Sequence, residues 1–507
     1  MSATSARRMG AVLPLGGALL AAVFIYFPAL NSPFHSDDYL LLLASRDMPW
    51  SDFLRSSFDP GADPGALRLS ANYWRPLSFV TFRLIYVVFG DEPLPYHLFN
   101  LAVHLASVVL VYALGWRLTK SRLGAAVAAL VMAVHPEGFE SITWIASLNS
   151  AALPLALAGW LAFTRAIDAE STAARNRWLA ASLGLAVVAL AYRESVAGIV
   201  VAMLLWYGMV ERRERLRERE TQILAGVHIA LLVVYLLLTG ILDPDGGRPL
   251  IDADQDVFKN WWFYAERGLV PLGSPEPAWQ DSAQFIGTVV LIGVAVIAAL
   301  RRQWLVLALS LGFFVSLVPY AAFSLGRGER YFYIPGALLA LLLGAAATVC
   351  VASLAKLKTS APIEQICVLG IAAVAAVTAV TANHRVAGWV ETHPEVNPGV
   401  GRPVAGHLPR AARRRRPLRI EDSANAERPR RIYPAADGEL PVRGREPPGL
   451  LDPGPVHRLR TLGDEAGRPL VYFRAGLTGT KIRSSGPSDA RTSCTSSAAI
   501  RRAVTPG

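Results

Sequence analysis

Two adjacent carboxylates, Asp37 and Asp38, lie in Phe34-His35-Ser36-Asp37-Asp38-Tyr39, directly after the first apolar run of the chain. Carboxylates close to a membrane surface can act as a general base or hold a cation. Exposed Asp is also ordinary loop chemistry, so the pair gains meaning only from what accompanies it. His135-Pro136-Glu137-Gly138-Phe139-Glu140-Ser141 sets one imidazole and two carboxylates in a short turn between apolar runs. Ionisable groups near membrane depth are functional candidates by default, so His135, Glu137 and Glu140 are read as shaping or supporting a site. Arg327-Gly328-Glu329-Arg330-Tyr331 carries two guanidinium groups at another turn. Arginine pairs bidentately with phosphate oxygens, which makes Arg327 and Arg330 candidates for an anionic ligand, with headgroup anchoring as the plainer alternative. Arg193-Glu194 could be an ion pair closing its own turn or part of the site. In Asn72-Tyr73-Trp74-Arg75-Pro76-Leu77, Arg75 could bind a lipid phosphate or a substrate.

The elements that position these groups are apolar. Mean hydropathy is +0.35 and 53% of the residues are hydrophobic, which excludes an array of soluble domains. Apolar runs long enough for a bilayer core of about 30 Å recur along the chain. They lie near Ala11 to Leu30, Leu98 to Leu118, Leu123 to Val134, Trp144 to Phe163, Trp178 to Ala191, Val196 to Val210, Ile223 to Leu242, Phe285 to Leu300, Trp304 to Phe323, Phe332 to Leu354 and Ile363 to Thr381. The fold class expected is an all-α polytopic membrane protein with about eleven transmembrane helices. Leu77 to Phe89, which carries Arg83, and Phe258 to Leu269, which carries Trp261 and Trp262, read as helices lying along the interface within two longer loops.

Orientation follows from Lys and Arg in the short loops. With Arg7 and Arg8 inside, strict alternation also puts inside Arg117 and Lys120, Arg175 and Arg177, Arg212 to Arg219, Arg301 and Arg302, and Lys356 and Lys358. Every candidate residue named above then faces the extracytoplasmic side. Integral, multi-pass insertion in a bacterial inner membrane is the expected location.

The net charge of +11 belongs to the C-terminal segment. Residues 401–507 hold 21 Lys and Arg against 10 Asp and Glu, whereas residues 1–400 balance. A nucleic-acid partner is therefore not expected of the hydrophobic body. Two domains are read: a transmembrane body over 1–382 and an Arg/Pro-rich tail over 383–507. The tail has 13 prolines and three aromatics after residue 400, too little apolar surface to offset ordering entropy, and is expected to be disordered. So abrupt a change fits a shifted reading frame of a GC-rich gene. Cys350, Cys367 and Cys494 show no paired spacing and imply no disulfide framework or zinc site.

The ordered set Ser36-Asp37-Asp38-Tyr39, Tyr73-Trp74-Arg75-Pro76-Leu77, Tyr96-His97-Leu98-Phe99-Asn100 with His104, His135-Pro136 through Trp144-Ile145, and Glu329-Arg330-Tyr331-Phe332-Tyr333-Ile334-Pro335 resembles the GT-C class of polyprenyl-phosphate-sugar glycosyltransferases. The likeness is to the protein O-mannosyltransferase-like branch, which includes transmembrane and tetratricopeptide-repeat proteins, here without the repeats. It implies inverting transfer of a mannose-like sugar from a polyprenyl-phosphate donor to an acceptor hydroxyl of a protein or glycan, on the extracytoplasmic side of the bilayer. Asp37 and Asp38 match the first-loop aspartate that serves as base or metal ligand. The pair could hold a divalent cation, Mg²⁺ or Mn²⁺, although no cofactor is certain. Arg330 matches the arginine of the recurrent Arg-Tyr-x-Tyr pattern, a carrier-phosphate contact. Beside that match, Arg327 and Arg193 are read as further donor-phosphate contacts, and Arg75, His135, Glu137, Glu140 and Glu194 as supporting the substrate. A transporter or flippase of lipid-linked sugars is the alternative, though charges clustered at one face favour the enzyme. A truncated, inactive relative is the other.

The topology predicts that a cysteine placed at Ser51, in a chain otherwise free of cysteine, reacts with a membrane-impermeant maleimide on intact cells or spheroplasts. Labelling only after permeabilisation would reverse the orientation.

Overall fold

A computed structural model describes residues 3–35, 37–59, 74–147, 149–211, 219–238, 257–269, 280–321, 328–355, 376, 378–390, 461–463, 469–475 and 478–482. Arg327, the expected tail disorder outside 461–482 and most of the predicted span Ile363 to Thr381 lie outside those residues.

The described residues of the body, Met1–Arg415, are mainly helical. In chain order its helices are α1 (Ala3–Tyr26), α2 (Asp37–Asp47), α3 (Trp50–Phe58), α4 (Pro76–Phe89), α5 (Pro93–Thr119), α6 (Arg122–Val134), α7 (Glu140–Thr143) and α8 (Asn149–Asp168). They continue as α9 (Thr172–Tyr192), α10 (Ala197–Trp206), α11 (Arg219–Leu238), α12 (Val257–Glu266), α13 (Gln280–Leu300), α14 (Trp304–Ser316), α15 (Val318–Ala321) and α16 (Tyr333–Ala355). Residues 378–390 form a further helix. Each predicted span from Ala11 to Leu354 coincides with a helix, and both predicted interfacial segments are helices, α4 and α12.

The expected count of about eleven spans includes segments outside the described residues. Among the described residues, seven helical stretches are long and apolar enough to cross a membrane. The others fall short for identifiable reasons: α6 has 13 residues, α9 begins with Arg175 and Arg177, and the apolar part of α11 is brief. The predicted span from Trp144 also starts later. Residues 140–147 make α7 and a 3₁₀ turn, Ile145–Ser147, before α8 begins at Asn149.

Local sequence sets the helix ends. Pro76 and Pro93 open α4 and α5, where a missing N–H costs nothing. Ser121 and Ser171 cap α6 and α9 by accepting from the N–H groups of Gly124 and Ala174, each cap worth about 1 kcal/mol. Gly90 ends α4 at φ +66°, a conformation that glycine takes without strain.

One large apolar core runs through α1, α5, α6, α8, α10, α14 and α16. A smaller one, Phe34, Leu41, Phe53, Phe82 and Tyr96, lies under the first loop and fixes α2, α3 and α4 on the N-terminal end of α5. Large apolar residues such as Leu20, Phe24, Ile286 and Leu300 stay exposed, as lipid-facing helices require. The helices α6 and α16 meet through glycine. A Cβ on Gly344 would lie 2.2 Å from the Gly124 carbonyl oxygen, so only hydrogen fits there.

The second unit, Arg416–Gly507, shows three short antiparallel strands, β1 (Thr461–Gly463), β2 (Pro469–Ala475) and β3 (Thr478–Ile482). Phe473 pairs with Thr480. Strand was not expected here. The local run Leu470-Val471-Tyr472-Phe473 is β-branched and aromatic, the composition that favours a pleated surface.

The glycine contact predicts that Gly344→Val lowers the thermal unfolding temperature in detergent, with a cost of roughly 1–3 kcal/mol or more from forced separation of α6 and α16. Gly293→Ala, where nothing lies within 4 Å of the added Cβ, should leave it unchanged.

Candidate functional site

The first loop enters the site through a carboxylate that holds backbone. Asp38 is fully buried, and its Oδ2 accepts the His35 N–H at 3.0 Å while its own N–H donates to the His35 carbonyl at 3.1 Å. The first bond ties the Asp38 side chain back to the backbone just before α2, and the second is a backbone turn bond across the same residues. The other oxygen, Oδ1, accepts the Ala146 N–H at 2.6 Å, binding the first loop to the turn after α7. Burial pushes the Asp38 carboxyl up from 3.8 to about 7. The two backbone N–H groups oppose that rise, and the Asp37 charge adds to it.

Asp37 is placed differently. It is only partly buried, and partial burial raises its carboxyl while the Arg330 charge lowers it. Asp37 and Arg330, far apart in sequence, are thus electrostatic neighbours.

Arg330 is held by the turn that carries Glu140. Glu140 Oε2 accepts the Arg330 backbone N–H at 3.0 Å and its Nη1 at 3.4 Å, and Ser141 Oγ donates to the Arg330 carbonyl at 2.9 Å. The guanidinium lies 4.6 Å from the Trp144 ring centre and 4.8 Å from that of Tyr331, so two aromatic faces hold it. Gly138 adopts φ +87°, and a Cβ there would come within 2.9 Å of Tyr333 Cα. Glycine therefore allows the two turns to close.

Arg193 is also beside Tyr331, buried, with its guanidinium 5.8 Å from that ring. Burial, with the Arg75 charge next, lowers the Arg193 pKa from its ordinary value, and the Glu194 charge opposes both. Glu194 does not close its own turn with Arg193 as its main partner. It receives a two-pronged bond from Arg75, whose Nε lies 2.9 Å from Oε2 and whose Nη2 binds Oε1. The side chains are 12% and 9% exposed, and breaking such a pair leaves an uncompensated buried charge, a cost of about 3–5 kcal/mol.

His135 and Glu137 fall in a layer behind. The His135 ring stacks on Phe332 at 5.0 Å, and its Nε2 meets the Gly268 carbonyl at 3.0 Å. Burial lowers the His135 pKa. Glu137 pairs with Arg385 at 3.1 Å. Asp37, Asp38, Glu140, Arg330, Arg193, Glu194 and Arg75 thus form one connected cluster, whereas His135 and Glu137 face its supports. Among the described residues, no group of three or more His, Cys, Asp or Glu is placed to share a metal ion.

Trp144, Tyr331 and Arg385 are contacts that the sequence did not single out as site residues. A lone Arg in the apolar stretch Val380 to Val390 is the signal that could have found Arg385.

Residues 75–238 match the family described as dolichyl-phosphate-mannose-protein mannosyltransferase. Protein O-mannosyl-transferase Tmtc1 of Drosophila melanogaster is 36% identical over 134 residues, covering 25% of this chain and 15% of that protein. Human protein O-mannosyl-transferase TMTC3 is 30% identical over 181 residues, covering 35% and 19%. The chain thus spans less than a fifth of the length of either relative. Among solved structures, ArnT from Cupriavidus metallidurans in the apo state aligns with a TM-score of 0.47 at 16% identity, over 74% of this chain and 64% of that one. The sequence matches bear out the resemblance carried by the motifs: the chain is similar to the protein O-mannosyltransferase-like branch of the GT-C class.

A buried carboxyl whose folded pKa stands above its unfolded value stabilises fully below the unfolded value, and loses that advantage as pH rises. For Asp38 the window is pH 3.8 to about 7. The difference in unfolding temperature between the parent and Asp38→Asn should therefore shrink or reverse as pH rises from 4 to 7. A constant difference across that range would show that Asp38 ionises as an exposed carboxyl does.

Proposed function

We propose that the protein is a membrane glycosyltransferase that transfers a sugar from a polyprenyl-phosphate donor to an acceptor hydroxyl, with Asp37 as the base and Arg330 at the donor phosphate. The observation that carries this is the division between adjacent carboxylates: Asp38 is committed to two backbone N–H groups, whereas Asp37 is partly open beside Arg330. The similarity of residues 75–238 to dolichyl-phosphate-mannose-protein mannosyltransferases supports a mannose-like sugar and a protein acceptor.

In the step proposed, the acceptor oxygen attacks the anomeric carbon as the bond from that carbon to the phosphate oxygen breaks. The acceptor proton passes to the Asp37 carboxylate, and the polyprenyl phosphate leaves from the opposite face with inversion. Negative charge grows on the leaving phosphate, where Arg330, already oriented by Glu140, Trp144 and Tyr331, stabilises it. Arg193, buried 5.8 Å from the Tyr331 ring, adds positive charge near Arg330, and Arg327 stays a candidate phosphate contact by its place in the sequence alone. Arg75 acts through Glu194, fixing the turn that carries Arg193. A divalent cation, Mg²⁺ or Mn²⁺, would find only the Asp37 carboxylate here, because Asp38 is committed to backbone, and it would then compete with the proton that Asp37 accepts; no step of the scheme is routed through it. The site faces the extracytoplasmic side of a bacterial inner membrane in this proposal, as the basic loops suggest.

Incubation of purified protein with a labelled polyprenyl-phosphate sugar and acceptor should give covalent transfer, which a flippase would not. Asp37→Asn keeps size but cannot take the proton, so turnover should fall by roughly two to four orders of magnitude while insertion and unfolding temperature hold. Arg330→Lys should raise the donor KM and retain some turnover, because the charge survives and the bidentate geometry does not. Asp37→Asn turning over at the parental rate would remove the base from the scheme.

A further inference from the structure

The 378–390 helix runs past the residue where the hydrophobic body was expected to end. Its polar and aromatic side chains contact three segments around the site. Asn383 Nδ2 donates to the Phe24 carbonyl at 3.2 Å, at the end of α1. The Trp389 ring centre lies 4.5 Å from that of His35, whose N–H binds Asp38. Arg385 reaches furthest: Nη1 is 3.1 Å from Glu137 Oε1 and Nη2 is 2.5 Å from Glu329 Oε1, with the guanidinium 5.4 Å from the Phe139 ring. The Arg385 side chain is 8% exposed and that of Glu137 1%.

Those two carboxylates sit at informative positions. Glu137 is three residues before Glu140, and Glu329 directly precedes Arg330. One planar guanidinium therefore joins the two turns beside the pair that orients Arg330, and its fork fixes their separation as well as their charge. The Glu140–Arg330 and Ser141–Arg330 bonds join the same two turns further along, so Arg385 adds a further tie at Glu137 and Glu329. The geometry points to Arg385 as a positioning residue: by bridging Glu137 and Glu329 it sets the register of the two turns, and through Glu140 the placement of Arg330 at the donor phosphate. This rests on the proposed role of Arg330, and it makes the helix just before the Arg/Pro-rich segment part of the working site.

The competing account is that Arg385 merely neutralises one buried and one partly buried carboxylate. Arg385→Met alone would expose that cost and could unfold the chain. The deciding variant is the triple Glu137→Gln, Glu329→Gln, Arg385→Met in the full-length protein, which removes the charges together while keeping similar volumes. Hydrogen exchange of 135–143 and 328–333 should rise in the folded triple variant relative to the parent, with exchange of α5 unchanged. The donor KM should rise roughly tenfold, since small misplacements at a reacting centre cost that order or more. Arg385→Lys should recover part of the KM, because it restores charge without the fork.

A triple variant that folds with parental exchange in both turns, or with parental donor KM, overturns the inference. So does failure of all three variants to fold, which would make Arg385 a general folding residue. If the parent itself transfers no sugar, the proposed function fails, and the exchange measurement alone still decides whether Arg385 sets the two turns.

Discussion

The turns that carry the candidate site depend on the polar face of one apolar helix. A membrane offers no water to an unpaired carbonyl or imidazole, so polar groups inside the bundle must find each other, at a cost of several kcal/mol for each one left alone. In α5 this constraint becomes a scaffold. Tyr96 donates to the Gly90 carbonyl, His97 meets the Ser32 carbonyl at 2.9 Å, Asn100 donates to the Ile142 carbonyl and accepts from Ser150, and His104 Nδ1 meets the Tyr333 hydroxyl at 3.0 Å. His97, Asn100 and His104 follow helical spacing and lie on one face. One rigid helix thus holds the first loop, the turn that ends α7 and the start of α16, the three places that carry Asp37, Glu140 and Arg330.

Upon that scaffold the same residue types take opposite roles according to exposure. Asp38 is buried, so its oxygens take backbone donors, and its charge becomes a liability that rises with pH. Its neighbour, one residue earlier on α2, is partly open and feels Arg330. Arginines divide in the same way. Arg117, at the other ends of α5, α8 and α10, joins Asp168 at 2.9 Å and Glu211 at 3.5 Å, and binds helices together without aromatic walls as close as those around Arg330.

Periodicity and length made the helices legible, because an apolar run flanked by charge has few alternatives in a bilayer. The polar motifs were legible as a set: the Tyr96-to-His104 pattern, the His135 turn and the Glu329 turn all converge at one end. What pairs with what was not legible. Arg193 and Glu194 are adjacent in sequence, yet the two-pronged partner of Glu194 is Arg75, 119 residues away, because adjacent side chains leaving a turn diverge. The start of α8 was misplaced for a related reason. Trp144 and Ile145 are apolar enough to join a span, but the Ala146 N–H is taken by Asp38, a long-range bond that no local pattern announces. Arg385 is likewise hidden by the break in composition that follows its helix, and its partners Glu137 and Glu329 lie 248 and 56 residues away.

The pairing pattern bears on how a phosphate would be received. Arg75 is matched by Glu194, Arg330 by Glu140, and Arg385 by Glu137 and Glu329. Each guanidinium is therefore oriented before any ligand arrives, and its desolvation has been offset by a carboxylate during folding. An arginine free to move would have to lose rotamer freedom and water when the donor binds, which would weaken binding by the cost of both. Here Arg330 gives only one guanidinium nitrogen, at 3.4 Å, to Glu140, and spends its backbone N–H on the shorter bond. Nη2 donates to the Tyr331 hydroxyl at 3.3 Å, so carboxylate and phenol together set the direction of the guanidinium. Charge developing on a leaving phosphate would meet donors whose reorganisation is already complete, the condition under which electrostatic stabilisation favours the transition state over the ground state.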